Sequence, residues 1–157
     1  MTDLACLDAS YLLAVFDERD VWHREAVRIQ AVLREGESRT ITPDCSINEV
    51  LTAAARRYRE RKNPKAFVAL VERVAEAIPA DTITWVSPHL PRWYSRCVDA
   101  MRETAGALSF HDALLCVAAE EVGYRAIVSF DADFDRWGGL HRLGSLNAVK
   151  AWVRKQA

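Results

Sequence analysis

The sequence predicts an α/β fold, with a mainly parallel sheet covered by helices on both faces. Two patterns carry that reading. Short apolar runs of strand length recur along the chain, and longer segments with apolar residues at helical spacing separate them. Strands that alternate with helices fold as crossover units, which place helices on the two faces of a parallel sheet. The length agrees: 157 residues fit a single domain, 1–157, that can bury most of its apolar surface without staples.

Each element has its own local reason. Residues 4–8 read as a short buried strand ending at Asp8, with a turn or helix start at Ser10 and a short apolar helix from Tyr11 to Phe16. Asp20 reads as the N-cap of a helix over roughly 21–35, with Val21, Ala26, Ile29 and Leu33 on one stripe and Gly36 near its end. Thr40-Ile41-Thr42 is a second strand. Pro43 suits the first turn of a helix that runs through Val50, Leu51, Ala54 and Tyr58 to about Arg61. Asn63-Pro64 starts another helix, with Phe67, Leu70, Val71 and Val74 as its apolar stripe. Thr82 to Val86 is β-branched and aromatic, hence a third strand. Pro88 to about Glu103 is helical. Ser109 caps a helix to Glu121 that Gly123 ends. Ala126 to Phe130 is a fourth strand, followed by a short turn or helix after Asp133. A fifth strand lies near His141 to Leu143, and residues 146–155 form a last helix.

Composition excludes several classes. With 50% hydrophobic and 27% charged residues, the chain has the apolar content that disordered segments lack. A formal net charge of −1 rules out a strongly basic nucleic-acid footprint and leaves room only for a local patch. Cys6, Cys45, Cys97 and Cys116 are scattered, with no Cys-x-x-Cys pair, which argues against zinc or thioredoxin-like chemistry. They read as reduced, buried thiols of a cytoplasmic protein. No apolar stretch approaches the ~20 residues of a membrane span, and no signal peptide is evident.

The chemistry is carried by acids that recur where apolar segments end. Asp8 closes the first strand, Glu49 follows Ser46-Ile47-Asn48, Asp112 follows Ser109-Phe110-His111, and Asp131 and Asp133 follow the fourth strand. Ligands of open parallel sheets bind beyond the carboxyl ends of the strands, where Asp8 and Asp131 lie directly. Each acid also has an ordinary explanation. Ser46-x-x-Glu49 and Ser109-x-x-Asp112 resemble capping boxes, and Asp131 and Asp133 suit a turn or a helix start. Asp8 is harder to explain as packing. Carboxylates brought together repel until protons or a cation relieve them. Mg²⁺ or Mn²⁺ bound by such oxygens suits phosphodiester hydrolysis, with no nucleophilic Ser or Cys required.

In this order and spacing, Leu7-Asp8-Ala9-Ser10, Asn48-Glu49-Val50, Ser109-Phe110-His111-Asp112-Ala113 and Ser129-Phe130-Asp131-Ala132-Asp133-Phe134 resemble the PIN domain. They are most similar to the toxin ribonucleases of VapBC-type toxin–antitoxin pairs. Asp20-x-x-His23-x-x-Ala26 is similar to the segment after the first helix of those proteins. The resemblance covers nearly the whole chain. It implies an α/β/α sandwich and an endoribonuclease dependent on Mg²⁺ or Mn²⁺. Asp8, Glu49, Asp112 and Asp131 match the family's acidic quartet, and Asp133 matches an additional acid. Ser10 matches a small hydroxyl residue that orients a metal water. Ser129 stands where Thr is common, and either Asp131 or Asp133 is the nearer ligand. The resemblance further implies a homodimer and a cognate antitoxin that covers the site.

Other features compete with this reading. Arg56, Arg57, Arg59, Arg61, Lys62 and Lys65 crowd one helix end. They read either as a solvated last turn or as a phosphate-contact patch for RNA, with Arg56, Arg57 and Arg59 as the candidate contacts. His23 reads as packing or capping locally. His111 points roughly 100° away from Asp112 around a helix. Tryptophans such as Trp85, Trp93 and Trp137 could stack bases, but core or dimer packing is the default. Two rival functions remain. One is a haloacid-dehalogenase-like phosphatase, for which Ser10 stands where a second Asp is expected. The other is a non-catalytic PIN-like module that binds RNA or protein.

Overall fold

The computed structural model describes residues 3–156. Among these residues, five strands form one sheet in the order β3-β2-β1-β4-β5. They are β1 (Ala5–Leu7), β2 (Thr40–Pro43), β3 (Ile83–Thr84), β4 (Ala126–Val128) and β5 (His141–Arg142). Every neighbouring pair is parallel: Cys6 faces Ile41 on one side and Ile127 on the other, Thr42 faces Ile83, and Ala126 faces His141. All carboxyl ends therefore lie on one edge. The chain leaves β1 toward β2 on one side, while β4 pairs on the other. The crevice between β1 and β4 is thus the topological switch point where ligands of such sheets bind.

Among the described residues, seven α-helices cover the sheet. They are α1 (Ala9–Phe16), α2 (His23–Glu35), α3 (Asp44–Glu60), α4 (Pro64–Ala77), α5 (Leu90–Glu103), α6 (Phe110–Val122) and α7 (Leu146–Arg154). The two-residue period of the strands divides the core. Ala5, Leu7, Ala126 and Val128 pack with Leu12, Ile29, Val50, Leu70 and Val149 from α1, α2, α3, α4 and α7. Cys6 and Ile127 point the other way and pack with Trp93, Cys97, Leu114 and Val117 from α5 and α6. The expected α/β/α sandwich is the observed one. Among the described residues, no helix is long and apolar enough to cross a membrane.

Several boundaries depart from the sequence reading for local reasons. Asp20 does not cap α2. Its carboxylate accepts the Trp22 N–H at 2.9 Å in a turn, and the helix begins at His23. Ser46 does not cap either. β2 runs straight into α3 at Pro43, so Ser46 is an interior helical residue whose buried hydroxyl has no hydrogen-bond partner. Glu49 consequently belongs to no capping box. The Ser109 box is real: the Ser109 hydroxyl accepts the Asp112 N–H, and the Asp112 carboxylate accepts the Ser109 N–H at 2.8 Å. The third strand shrinks to Ile83–Thr84, because Val86 and Ser87 donate their N–H groups to Asp44. Pro88 sits in a short 3₁₀ turn before α5. The fourth strand stops at Val128, since Ser129 turns to other partners.

Candidate active site

Asp8 is the centre of the carboxyl edge. The strand β1 ends on it, α1 starts on it as its N-cap, and its N–H donates to the Val128 carbonyl of β4 at 3.1 Å. It is 3% exposed. A carboxylate so buried needs donors, and two hydroxyls supply them. Ser10 Oγ and Ser129 Oγ donate to Asp8 Oδ2 at 2.6 and 2.7 Å. The same hydroxyls hold the far side of the crevice: Phe130 N–H donates to Ser10 Oγ, and Asp131 N–H donates to Ser129 Oγ, both at 3.0 Å. One small network thus fixes Asp8 relative to the segment that carries Asp131. Asp131 in turn caps a 3₁₀ turn (Ala132–Arg136) by accepting the Asp133 N–H at 2.8 Å.

Electrostatics places the remaining acids around this network. Burial pushes the Asp8 carboxyl above its ordinary range, and the hydrogen bonds from Ser10 and Ser129 pull it partly back. Burial also raises Glu49; the charges of Asp8, Asp112 and Asp131 raise it further, while His111 opposes them. Asp112 is raised by burial against its Ser109 hydrogen bonds, with Asp8 and Asp131 again adding repulsion. The four acids expected from the sequence therefore act on one another in space. Asp131 is the member of its pair that acts on Glu49 and Asp112, whereas Asp133 lies beside Arg136 at 3.5 Å, half exposed.

The donor set suits a hard divalent cation. Glu49 accepts no hydrogen bond among the described residues, and the bonds of Asp112 and Asp131 fall on one oxygen of each carboxylate. Oxygens remain for a ligand, and mutual repulsion rewards a positive one. Among the described residues, no three His, Cys, Asp or Glu side chains come close enough to cage an ion by themselves. Mg²⁺ does not require such a cage, because it usually keeps several waters and takes one or two carboxylates. The four cysteines are free and buried. Burial pushes the Cys45 thiol up to about 12, which makes it a poor nucleophile.

The basic cluster divides between exposed side chains and ion-paired ones. Arg57 is not an exposed phosphate contact. Its guanidinium donates to Asp20 at 2.6 Å and to the fully buried Asp17 at 3.2 Å, and Arg61 also donates to Asp17 at 2.9 Å. Arg56 and Arg59 are exposed. His23 packs as expected, its Nδ1–H donating to the Ala14 carbonyl at 2.7 Å. Trp93 and Trp137 are buried, and Trp85 is exposed. Sequence reasoning missed the role of Ser129 as a clamp, because only strand order reveals that it faces Asp8. It also missed that His111 acts on Glu49, since the two are remote in sequence. A cavity of about 540 Å³ is lined by Tyr11, Phe16, Leu33, Arg34 and Ile78 among others, with none of the four acids in its wall.

The PIN domain family matches this chain over residues 5–140. Among solved structures, the chain is similar to VapC20 of Mycobacterium tuberculosis, a sarcin-ricin loop cleaving toxin. The two share 21% sequence identity and a TM-score of 0.63, over 87% of this chain and 96% of that one. At that identity the likeness is one of fold. No curated protein matches the sequence. The family match spans β1 through the segment before β5 and so includes every acid of the carboxyl edge: the chain belongs to the PIN domain family.

Proposed function

We propose that this chain is an endoribonuclease that hydrolyses RNA phosphodiester bonds with Mg²⁺ or Mn²⁺. In the cell it would act in the cytoplasm as the toxin of a toxin–antitoxin pair, as a homodimer whose cognate antitoxin covers the site. The observation that carries the reading is the geometry at the switch point of the sheet, where the buried Asp8 is held by Ser10 and Ser129 against the segment that carries Asp131. PIN domains are nucleases, and the relative of similar fold cleaves an RNA loop, which supports RNA as the substrate.

Asp8, Glu49, Asp112 and Asp131 would hold the cation, with Asp133 at the rim. A bound Mg²⁺ or Mn²⁺ supplies Lewis-acid stabilisation of phosphate charge and a more acidic water. Ser10 and Ser129 aim Asp8 by hydrogen bonding its Oδ2, and those bonds oppose the rise that burial causes. In hydrolysis a water oxygen bonds to phosphorus, the leaving oxygen departs, and the water gives up a proton. Glu49 suits that proton best: of the four acids it alone accepts no hydrogen bond among the described residues. Arg56 follows Glu49 by seven residues, which places it nearly on the same helical face about 10 Å along the axis. Arg56 and Arg59 are the proposed RNA contacts.

The test is incubation of total RNA with the purified chain, with Mg²⁺ or Mn²⁺, with chelator, and as Asp112→Asn. The Asn carbonyl can still accept the Ser109 N–H, so the helix keeps its cap. Discrete fragments that disappear with chelator and with the substitution are expected. Intact RNA from well-folded, antitoxin-free protein would favour a non-catalytic binding module instead. The PIN fold and the service of Ser10 as a hydrogen-bond donor to Asp8 argue against a dehalogenase-like phosphatase.

A further inference from the structure

We infer that Trp22 is a stacking platform for one nucleobase of a single-stranded RNA lying across the acidic crevice; this rests on the ribonuclease reading above. The indole lies flat on Phe130, with ring centroids 4.9 Å apart and planes within 8°. It is 49% exposed, as expected for a ring with one face covered and the other open. Phe130 belongs to the site: its N–H donates to Ser10 Oγ, the donor to Asp8, and Asp131 follows it in the chain. The platform therefore borders the acidic crevice through Phe130.

The backbone that carries the indole is held on both sides. The Trp22 N–H donates to Asp20, which Arg57 anchors to the buried Asp17. Next in sequence, His23 is tied to the Ala14 carbonyl. The buried ion-pair network thus has a consequence at the surface: it presents an aromatic face in fixed position, at little entropic cost on binding. Every base has a π-face, and aromatic side chains hold unstacked bases in this way. A base inside a duplex is already stacked and cannot use the platform, so the substrate is single-stranded at this position.

The test is fluorescence anisotropy of an end-labelled, unstructured oligoribonucleotide with Ca²⁺, run beside Mg²⁺-dependent cleavage, for the native chain, Trp22→Phe and Trp22→Leu. Leucine keeps apolar cover over Phe130 but has no π-face. Trp22→Leu should weaken binding roughly five- to a hundredfold, and Trp22→Phe by no more than about threefold. The salt dependence of binding should stay unchanged, since stacking releases no counterions. Equal affinity of Trp22→Leu and the native chain would overturn the platform, even with cleavage intact. So would no measurable binding by the native chain, or a change in oligomeric state as the only effect of Trp22→Leu. Loss of binding in Trp22→Leu without cleavage by the native chain would leave the platform standing and remove the nuclease reading.

Discussion

The chemistry of single residues divides the acids into those that also hold the fold and one that does not. Asp8 and Asp112 are hydrogen-bonded into helix starts, whereas Glu49 has no such duty. Glu49→Gln should therefore reduce RNA cleavage at least roughly a hundredfold, as expected for loss of a general base, while leaving the circular dichroism spectrum unchanged. The Glu49 carboxyl is raised in the folded state, so the native chain holds the extra proton and stability falls as pH rises from ~4.3 through the raised folded value. In chelator at neutral pH, Glu49→Gln should accordingly melt at a higher temperature than the native chain, and the gap should close below about pH 4. Arg56→Ala should weaken RNA binding and shallow the salt slope by about one unit, the signature of one lost phosphate contact. The acids stood out in the sequence because they recur at the ends of apolar runs, although a capping or turn role was open to each of them. Ser129 and Arg57 were not, because the meaning of a hydroxyl or a guanidinium depends on partners more than a hundred, or about forty, positions away.

At the scale of elements, helix termini do two jobs. The capping box that starts α6 also orients Asp112, so Ser109→Ala should cost about 1 kcal/mol and lower cleavage together, as read by denaturant unfolding and initial rates. The Asp17–Arg57–Asp20–Arg61 network joins the end of α1 to the last turns of α3. Burial alone would raise Asp17, but Arg61 and Arg57 outweigh it and hold its carboxyl below the usual range. A lowered folded pKa means stability that is present above the unfolded value of ~3.9 and lost as pH falls through the folded one. Asp17→Asn should destabilise the chain by roughly 2–3 kcal/mol at neutral pH, less than a fully buried pair because its arginines are partly exposed. It should also flatten the acid limb of a Tm-against-pH curve. Most elements were legible as helix or strand from apolar spacing. Their ends were not, wherever a side chain captured backbone donors: Asp20 delayed α2, and Asp44 shortened β3.

For the whole molecule, an all-parallel sheet brings segments from both ends of the chain to one edge, and the acids of that edge repel one another. Anything that binds only the folded site stabilises it by mass action. The alternation of strands and helices made the layered architecture readable, but strand order was not, and strand order is what sets Asp8 between β2 and β4 and beside Ser129. Mg²⁺ or Mn²⁺ should raise the melting temperature of the native chain, with a smaller rise for Glu49→Gln. The most direct test of the central claim, that these acids form one cation site, is a calorimetric titration of Mn²⁺ into the metal-free native chain and into Glu49→Gln at neutral pH. Saturable binding that weakens roughly tenfold or more in the variant, with the fold unchanged, is the result expected for loss of a carboxylate ligand. Equal affinity in the two proteins, or no binding by the native chain, would contradict the claim.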